Sequence, residues 1–333
     1  MAEAPVMRAM VLPGPGRALV EEIRPVPVPG NGEILVAVSA CGVCRTDLHV
    51  ADGDREGTHY PIVPGHEVVG RIERVGPGVT GWRTGDRVGI PWLGAACEHC
   101  HYCRSGRENL CDAPTFTGHT RDGGFATHVV ADARFALALP GGFGDVAGAP
   151  LLCAGLIGFR AYRMAGDGKA LGLYGFGASA HILAQIAVQD GRTVYAFTRP
   201  GDTKTQDFAR SLGAAWAGAS TDSPPGELDS AILFAPVGEL VPLALRAVRK
   251  GGRVVCAGIH MSDIPRFPYA LLWGERDVVS VANLTREDGA AFMRRIAARP
   301  VETHTVPYPL GDANEALDDL RNGRFEGAAV LVP

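Results

Sequence analysis

The sequence predicts an α/β chain in two parts, a β-rich first part followed by a doubly wound parallel sheet. Three observations carry that expectation. Roughly the first 140 residues alternate short apolar runs with glycine-rich turns. From about residue 170, apolar strands alternate with helical periodicities. A length of 333 residues also suits two domains. Taking the elements in order, the turn Gly30-Asn31-Gly32 precedes an apolar strand over 34–40. Strand candidates over 68–75 and 86–91 are separated by the turn Gly76-Pro77-Gly78. The second half then reads strand 171–174, helix 178–189, strand 193–198, helix 203–212, strand 230–234, helix 238–250 and strand 253–257. Such alternation implies a parallel sheet with helices on both faces. Beyond about residue 281 the rhythm stops, and the remaining tail is short enough to return to the first domain. The expected organisation is a first domain over 1–148 with a distinct lobe at about 95–113, a second domain over 149–281, and a returning segment over 282–333.

Composition excludes several classes of function. With 46% hydrophobic and 20% charged residues, the chain has the balance of a globular protein with a real core. A net charge of −4 provides no basic field for nucleic acid or an anionic membrane. Residues 1–20 include Glu3 and several prolines and glycines, without the cationic start and apolar run of a signal peptide. No stretch approaches the roughly 20 apolar residues of a membrane span. The expectation is a cytoplasmic protein with neither a nucleic-acid nor a membrane partner. In that setting, eight cysteines argue for metal binding or catalysis more than for disulfides.

Cys97, Cys100, Cys103 and Cys111 place four thiols in a short window. A tetrahedral zinc takes four thiolates at about 2.3 Å, and the short spacings let one lobe wrap the ion. With every position filled by sulfur, such a zinc is structural. An iron–sulfur cluster also uses Cys-x-x-Cys steps, but the bacterial run ends in a three-residue gap and an immediate proline, which this segment lacks. His99 and His101, in the same window, read as solvent-facing bystanders.

A second group of candidate ligands is spread further along the chain. Cys44 opens Cys44-Arg45-Thr46-Asp47-Leu48-His49, His66 stands in Gly65-His66-Glu67, and Cys153 in Leu152-Cys153-Ala154-Gly155. Two cysteines and a histidine make a site with one open position, as a Lewis-acid zinc requires. Taken singly these residues say little, and an apolar-flanked cysteine such as Cys153 or Cys256 is usually a buried thiol.

Together, the segment Gly42-Val43-Cys44-Arg45-Thr46-Asp47-Leu48-His49, Gly65-His66-Glu67, the four-cysteine lobe and Leu152-Cys153-Ala154-Gly155 resemble the zinc-containing medium-chain alcohol dehydrogenases. The likeness runs through nearly the whole chain in the right order, and within that family it is nearest the cinnamyl-alcohol-dehydrogenase-like and yeast-type branches. The resemblance implies a GroES-like catalytic domain joined to a Rossmann domain. It makes Cys44, His66 and Cys153 ligands of a catalytic zinc, with Glu67 beside it as an occasional or outer ligand. Asp47 would hold the His66 imidazole. Thr46 would contact the substrate hydroxyl and pass its proton, through the cofactor ribose, to His49, whose ordinary pKa of about 6.5 suits a relay. Cys41, despite its Cys-x-x-Cys spacing with Cys44, is assigned to packing. Trp92 and Arg55 match positions in the substrate pocket wall, Arg55 standing where yeast-type relatives carry an aromatic residue.

Gly175-Phe176-Gly177-Ala178-Ser179-Ala180 fits G-x-G-x-x-A between a predicted strand and a predicted helix. Gly175 allows the tight turn, Gly177 the close approach of pyrophosphate, and Ala180 the helix–strand packing. An NAD-binding chain usually carries an acid at the tip of the next strand. Here the tip reads Thr198-Arg199, which could hold a 2′-phosphate, although Asp202 and Lys204 nearby blur the signal. NADP(H) is favoured, with NAD(H) the alternative. The resemblance adds Arg45, Ile259 and Asn283 to the cofactor contacts. Two positions depart from the family pattern: Ile157 stands for a threonine often set against the nicotinamide, and Ala328 for an arginine that some relatives turn to pyrophosphate.

The expected activity is reversible hydride transfer between a primary alcohol or aldehyde and NAD(P)(H), with two zinc ions per chain and a homodimer or homotetramer built through the nucleotide-binding half. Two rivals are a non-catalytic zinc- and dinucleotide-binding protein and a zinc-free quinone or enoyl reductase. The intact set Cys44, Thr46, His49, His66 and Cys153 argues against both.

Overall fold

The computed structural model describes residues 5–333; Glu3, cited above in reading the N-terminus, lies outside them. The described residues form two compact units, one that runs to Cys153 and takes in 283–333, the other of 154–282. The first reaches Cys153 rather than stopping at the expected 148. Its last turn, Ala149–Leu152, is fully buried and packs against the strand Glu67–Val75 of the same unit. The returning segment accordingly starts at Asn283.

The first unit is built on a seven-stranded sheet. Its central strand, Glu33–Val43, pairs antiparallel with Glu67–Val75, with His128–Asp132 and with Ala328–Val332. Thr305–Pro309 lies parallel beside Ala328–Val332, so the C-terminal segment completes the sheet that Glu33–Val43 begins. Ile34, Leu35 and Val36 are fully buried. Each contributes about 1.5–3 kcal/mol of transfer free energy, which fixes the strand in the core. The register places Gly42 opposite Glu67 and Cys41 opposite Val68. Those pairings set the future site residues at one end of the two strands.

In the second unit, six parallel strands run in the order Trp216–Ala219, Thr193–Thr198, Ala170–Tyr174, Leu228–Leu233, Val248–Cys256 and Asp277–Ser280. Counted from the first of them in sequence, this is 3-2-1-4-5-6, the doubly wound Rossmann order, whose reversal lies between Ala170–Tyr174 and Leu228–Leu233. The helices Ala178–Gln189 and Thr203–Ser211 lie where periodicity expects them. The helix expected over 238–250 is shorter, Leu240–Ala247. Val248 already pairs with Leu228, so the ladder takes over before the chain reaches Gly251-Gly252. No helix among the described residues is long and apolar enough to cross a membrane.

Candidate active site and metal centres

Cys44 is the N-cap of the helix Arg45–Asp52, and its Sγ accepts the Thr46 N–H at 3.3 Å. Asp47, at the third helical position, accepts the Cys44 N–H in return at 2.9 Å. This reciprocal capping box uses the candidate ligand Cys44 as the cap and so fixes its Sγ relative to the helix. Asp47 is only 1% exposed, and its other oxygen accepts the Gly65 N–H at 3.2 Å and faces the His66 Nδ1 at 3.1 Å. The imidazole is thereby oriented with Nε2 toward Cys44 Sγ, 3.1 Å away. Glu67 follows as the first residue of the strand Glu67–Val75, its carboxyl in the space that a side chain at residue 42 would take: a Cβ built on Gly42 would overlap it.

The buried turn Ala149–Leu152 delivers Cys153 to the same place. One donor atom from each of Cys44, His66, Glu67 and Cys153 lies within 4.8 Å of all the others. Hydrogen bonding from Cys153 pushes the Cys44 thiol well below its ordinary pKa, against burial and with help from His66, and Cys153 is pushed up in turn. Burial alone would lower His66, but Cys44 and Asp47 outweigh it and hold the imidazole well above its ordinary value. Glu67 is pushed well up by burial, with Cys44 adding to the effect. Acidic donors crowded into a dry pocket repel one another, and a cation relieves that repulsion. The donor set therefore fits a metal ion of zinc type.

The four-cysteine lobe is assembled by its own backbone. Cys111 Sγ accepts the N–H groups of Cys97 and Ala113, Cys97 Sγ that of Cys100, and Cys100 Sγ that of Cys103, at 3.2–3.5 Å. Such donors favour thiolates. Cys100 is held down to about 6, chiefly by the N–H groups of Cys103 and Asp112. Four sulfurs at about 2.3 Å from one centre stand about 3.8 Å apart. Cys97 and Cys103 are separated by 3.9 Å, and all four ligand atoms fall within 4.8 Å. The lobe is anchored to the returning segment by Arg286, which pairs with Glu98 and Glu108. His99 and His101 are exposed, and Cys41 is buried in the hydrophobic core, outside both donor sets.

Thr46 is buried on the first turn of the helix, and His49 lies one turn on, half-buried, with Nδ1 3.1 Å from Asp54. Arg45 is exposed. Trp92 is the hub of an aromatic cluster. His66 meets it edge-on at 4.9 Å, Phe116 stacks on it at 5.0 Å and His119 lies at 5.6 Å. The Arg55 guanidinium sits over the same ring at 5.0 Å. His119 and Phe116 were not legible in the sequence, because the Trp92 ring that gathers them lies well upstream in the chain.

In the second unit, Gly175 adopts φ +85°, and a Cβ there would come within 2.8 Å of the Ala235 nitrogen. Gly177 faces open space instead. It is the N-cap of Ala178–Gln189 and supplies no side-chain cap, so the first-turn N–H groups are left for an incoming anion. Ala180 is fully buried. At the next strand tip, the Thr198 hydroxyl turns inward: it donates to the Arg199 and Gly218 carbonyls and accepts from Gln206. Arg199 is the exposed member of the pair. Asp202 is occupied as the cap of Thr203–Ser211. Ile259 is exposed, and Asn283, which belongs to the first unit, has φ +57° and a buried Nδ2 with no hydrogen-bond partner.

Residues 30–141 match the family model of the alcohol dehydrogenase GroES-like domain. A probable alcohol dehydrogenase AdhA of Mycobacterium tuberculosis is 49% identical over 315 residues, 92% of this chain and 90% of its own. A cinnamyl alcohol dehydrogenase of Sorghum bicolor superimposes with a TM-score of 0.89 at 26% identity, covering 98% of each chain. A cobalt- and zinc-bound thermostable alcohol dehydrogenase of Pyrobaculum aerophilum gives 0.88 at 28%, covering 99% of this chain and 100% of its own. With that extent of likeness, a GroES-like domain and a Rossmann sheet, the chain belongs to the zinc-containing medium-chain alcohol dehydrogenase family.

Proposed function

We propose that this protein is a zinc-dependent alcohol dehydrogenase or aldehyde reductase that transfers hydride reversibly between a primary alcohol or aldehyde and a nicotinamide dinucleotide. The observation that carries the reading is the buried donor set Cys44, His66 and Cys153 with Glu67 beside it and Asp47 behind the imidazole. A zinc ion held there supplies Lewis-acid chemistry, and the dinucleotide supplies or accepts the hydride. The protein's own residues do the rest. Asp47 fixes the His66 tautomer and keeps Nε2 for the metal. Thr46 and His49, three residues apart on one helix face, carry the proton between the buried substrate hydroxyl and the half-exposed imidazole. Cys97, Cys100, Cys103 and Cys111 hold a second, structural zinc.

Gly175 turns the chain, Ala180 packs the helix on the strand and Gly177 lets the pyrophosphate approach the helix N-terminus, and Arg199 is assigned to a ribose 2′-phosphate, so NADP(H) is the preferred cofactor. The exposed Tyr269 and Trp273 of the second unit support a homodimer or homotetramer formed through that half. Six of the eight free cysteines lie in the two donor sets, which supports a reducing, cytoplasmic setting.

Initial rates with NADPH and with NADH, on zinc-replete protein and a panel of aldehydes, test the reading. Turnover with an NADPH preference that Arg199→Ala lowers by about tenfold or more is expected. An NADH preference overturns the Arg199 assignment, and no turnover with either cofactor overturns the enzyme reading.

A further inference from the structure

Beside the proposed zinc ligands, the Trp92 cluster holds two polar side chains with buried nitrogens that lack a hydrogen-bond partner. His119 is 3% exposed, and neither of its ring nitrogens has a hydrogen-bond partner. The Glu56 backbone carbonyl acts on the ring without completing a hydrogen bond. Arg55 lies over the Trp92 face with its Nε buried and unpartnered, and among the described residues no carboxylate pairs with it. The acids nearest in sequence point elsewhere: Asp52 pairs with Arg321 at 2.6 Å and Asp54 with His49 at 3.1 Å, and Glu56 is exposed. Stacking on the indole accounts for the position of the guanidinium plane but not for its missing counter-ion. A buried donor without a partner costs about 1–3 kcal/mol, so such groups call for a reason.

The geometry places these groups at a useful reach from the chemistry. His66 meets the Trp92 ring at 4.9 Å and the Arg55 guanidinium carbon lies 5.0 Å from the same ring centre, so guanidinium and imidazole are at most about 10 Å apart. His119 lies on the same indole, 5.6 Å away. A short substrate reacting at the His66 end spans that interval.

We propose that Arg55 and His119 form an anion-recognition subsite, and that the preferred substrates are short alcohols or aldehydes bearing a carboxylate or similar anionic group a few atoms from the reacting carbon. This deepens the dehydrogenase reading and rests on it. Arg55 supplies the fork that matches a carboxylate, and the neutral His119 ring supplies one further N–H. A neutral substrate leaves both groups unpaired, and that penalty is the source of the selectivity.

The test compares 4-carboxybenzaldehyde with its methyl ester, a neutral near-isostere, by kcat/KM on the holoenzyme. Calorimetric binding of the two corresponding benzyl alcohols to the same protein is the second readout. The acid is expected to exceed the ester by about tenfold to a hundredfold in both assays, from one charge-assisted contact. Arg55→Gln and His119→Phe should each lower that ratio, Arg55→Lys should keep part of it, and Arg55→Glu should bring it below one. Reversal by charge is something a purely packing role for Arg55 would not produce. A wild-type ratio of one or less in both assays, or a ratio that Arg55→Glu leaves unchanged, overturns the subsite while turnover of the ester keeps the dehydrogenase reading. A calorimetric preference with turnover of neither aldehyde upholds the subsite and overturns the dehydrogenase reading.

Discussion

Replacing Asp47 with asparagine exchanges one carboxylate oxygen for an NH2 group at the point where three partners converge. The wild-type carboxylate accepts from Cys44 N–H at 2.9 Å and Gly65 N–H at 3.2 Å and faces His66 Nδ1 at 3.1 Å. Asparagine keeps only one acceptor oxygen, so its amide N–H meets either the Cys44 donor or the Gly65 and His66 pair. At about 1–3 kcal/mol for each buried donor left unmet, the loss of stability is about 1–6 kcal/mol. His66 also loses the partner that sets its tautomer, which lowers zinc affinity by about 10- to 100-fold. Urea unfolding of zinc-loaded protein gives the first quantity, and competition with a chromogenic chelator gives the second. Zinc affinity within about threefold of wild type would refute the claim that Asp47 positions His66 for a metal.

Three other outcomes follow from the same geometry. Gly175→Ala should destabilise the fold by about 1–2 kcal/mol in urea unfolding, because φ is +85° and Ala235 crowds the new Cβ. Gly177→Ala, which meets open space, should leave stability within about 0.5 kcal/mol while weakening dinucleotide binding measured by calorimetry. His119 is pushed down to about 4 by burial and then by Arg55, with His59 adding and the Glu56 carbonyl opposing. Its folded value thus lies below the roughly 6.5 of the unfolded side chain, so its contribution is complete above pH 6.5 and is lost as pH falls from there toward 4. Wild type should lose about 2–3 kcal/mol more than His119→Leu over that interval in denaturation curves at several pH values; parallel profiles would contradict the assignment.

The four-cysteine lobe was legible in the sequence because its candidate ligands come with local spacings, whereas Cys44, His66 and Cys153 lie far apart in the chain and only the family resemblance joined them. The four cysteines of the lobe are bound by a backbone that needs only the residues between Cys97 and Ala113. The Gly175 and Gly177 roles follow from one strand–turn–helix unit, and the alternation of strands and helices gave the parallel sheet. What depended on distant packing was hidden. The helix Arg45–Asp52 is too short to show a period, and it is defined by a cap in which cysteine stands where serine or aspartate is usual. The strand Trp216–Ala219 is four small or aromatic residues with no alternation, held as an edge by Thr193–Thr198. The Thr198 hydroxyl was expected at the cofactor, but the carbonyl of Gly218, twenty positions on, draws it inward. His119 owes its burial to Trp92 and Phe116, and nothing in the tripeptide Gly118-His119-Thr120 announces it.

The central claim is that Cys44 holds a metal on which hydride transfer depends, separate from the lobe and from the dinucleotide turn. It is tested most directly by Cys44→Ser, with zinc content by elemental analysis, NADPH affinity by fluorescence and aldehyde turnover read on the same preparation. The account predicts that wild type carries two zinc ions per chain and the variant close to one. Turnover should fall by about 10³-fold or more while NADPH affinity stays within about twofold, because the site's ligands act as a unit. A variant that still turns over aldehyde at near the wild-type rate, or that loses neither zinc, would contradict it.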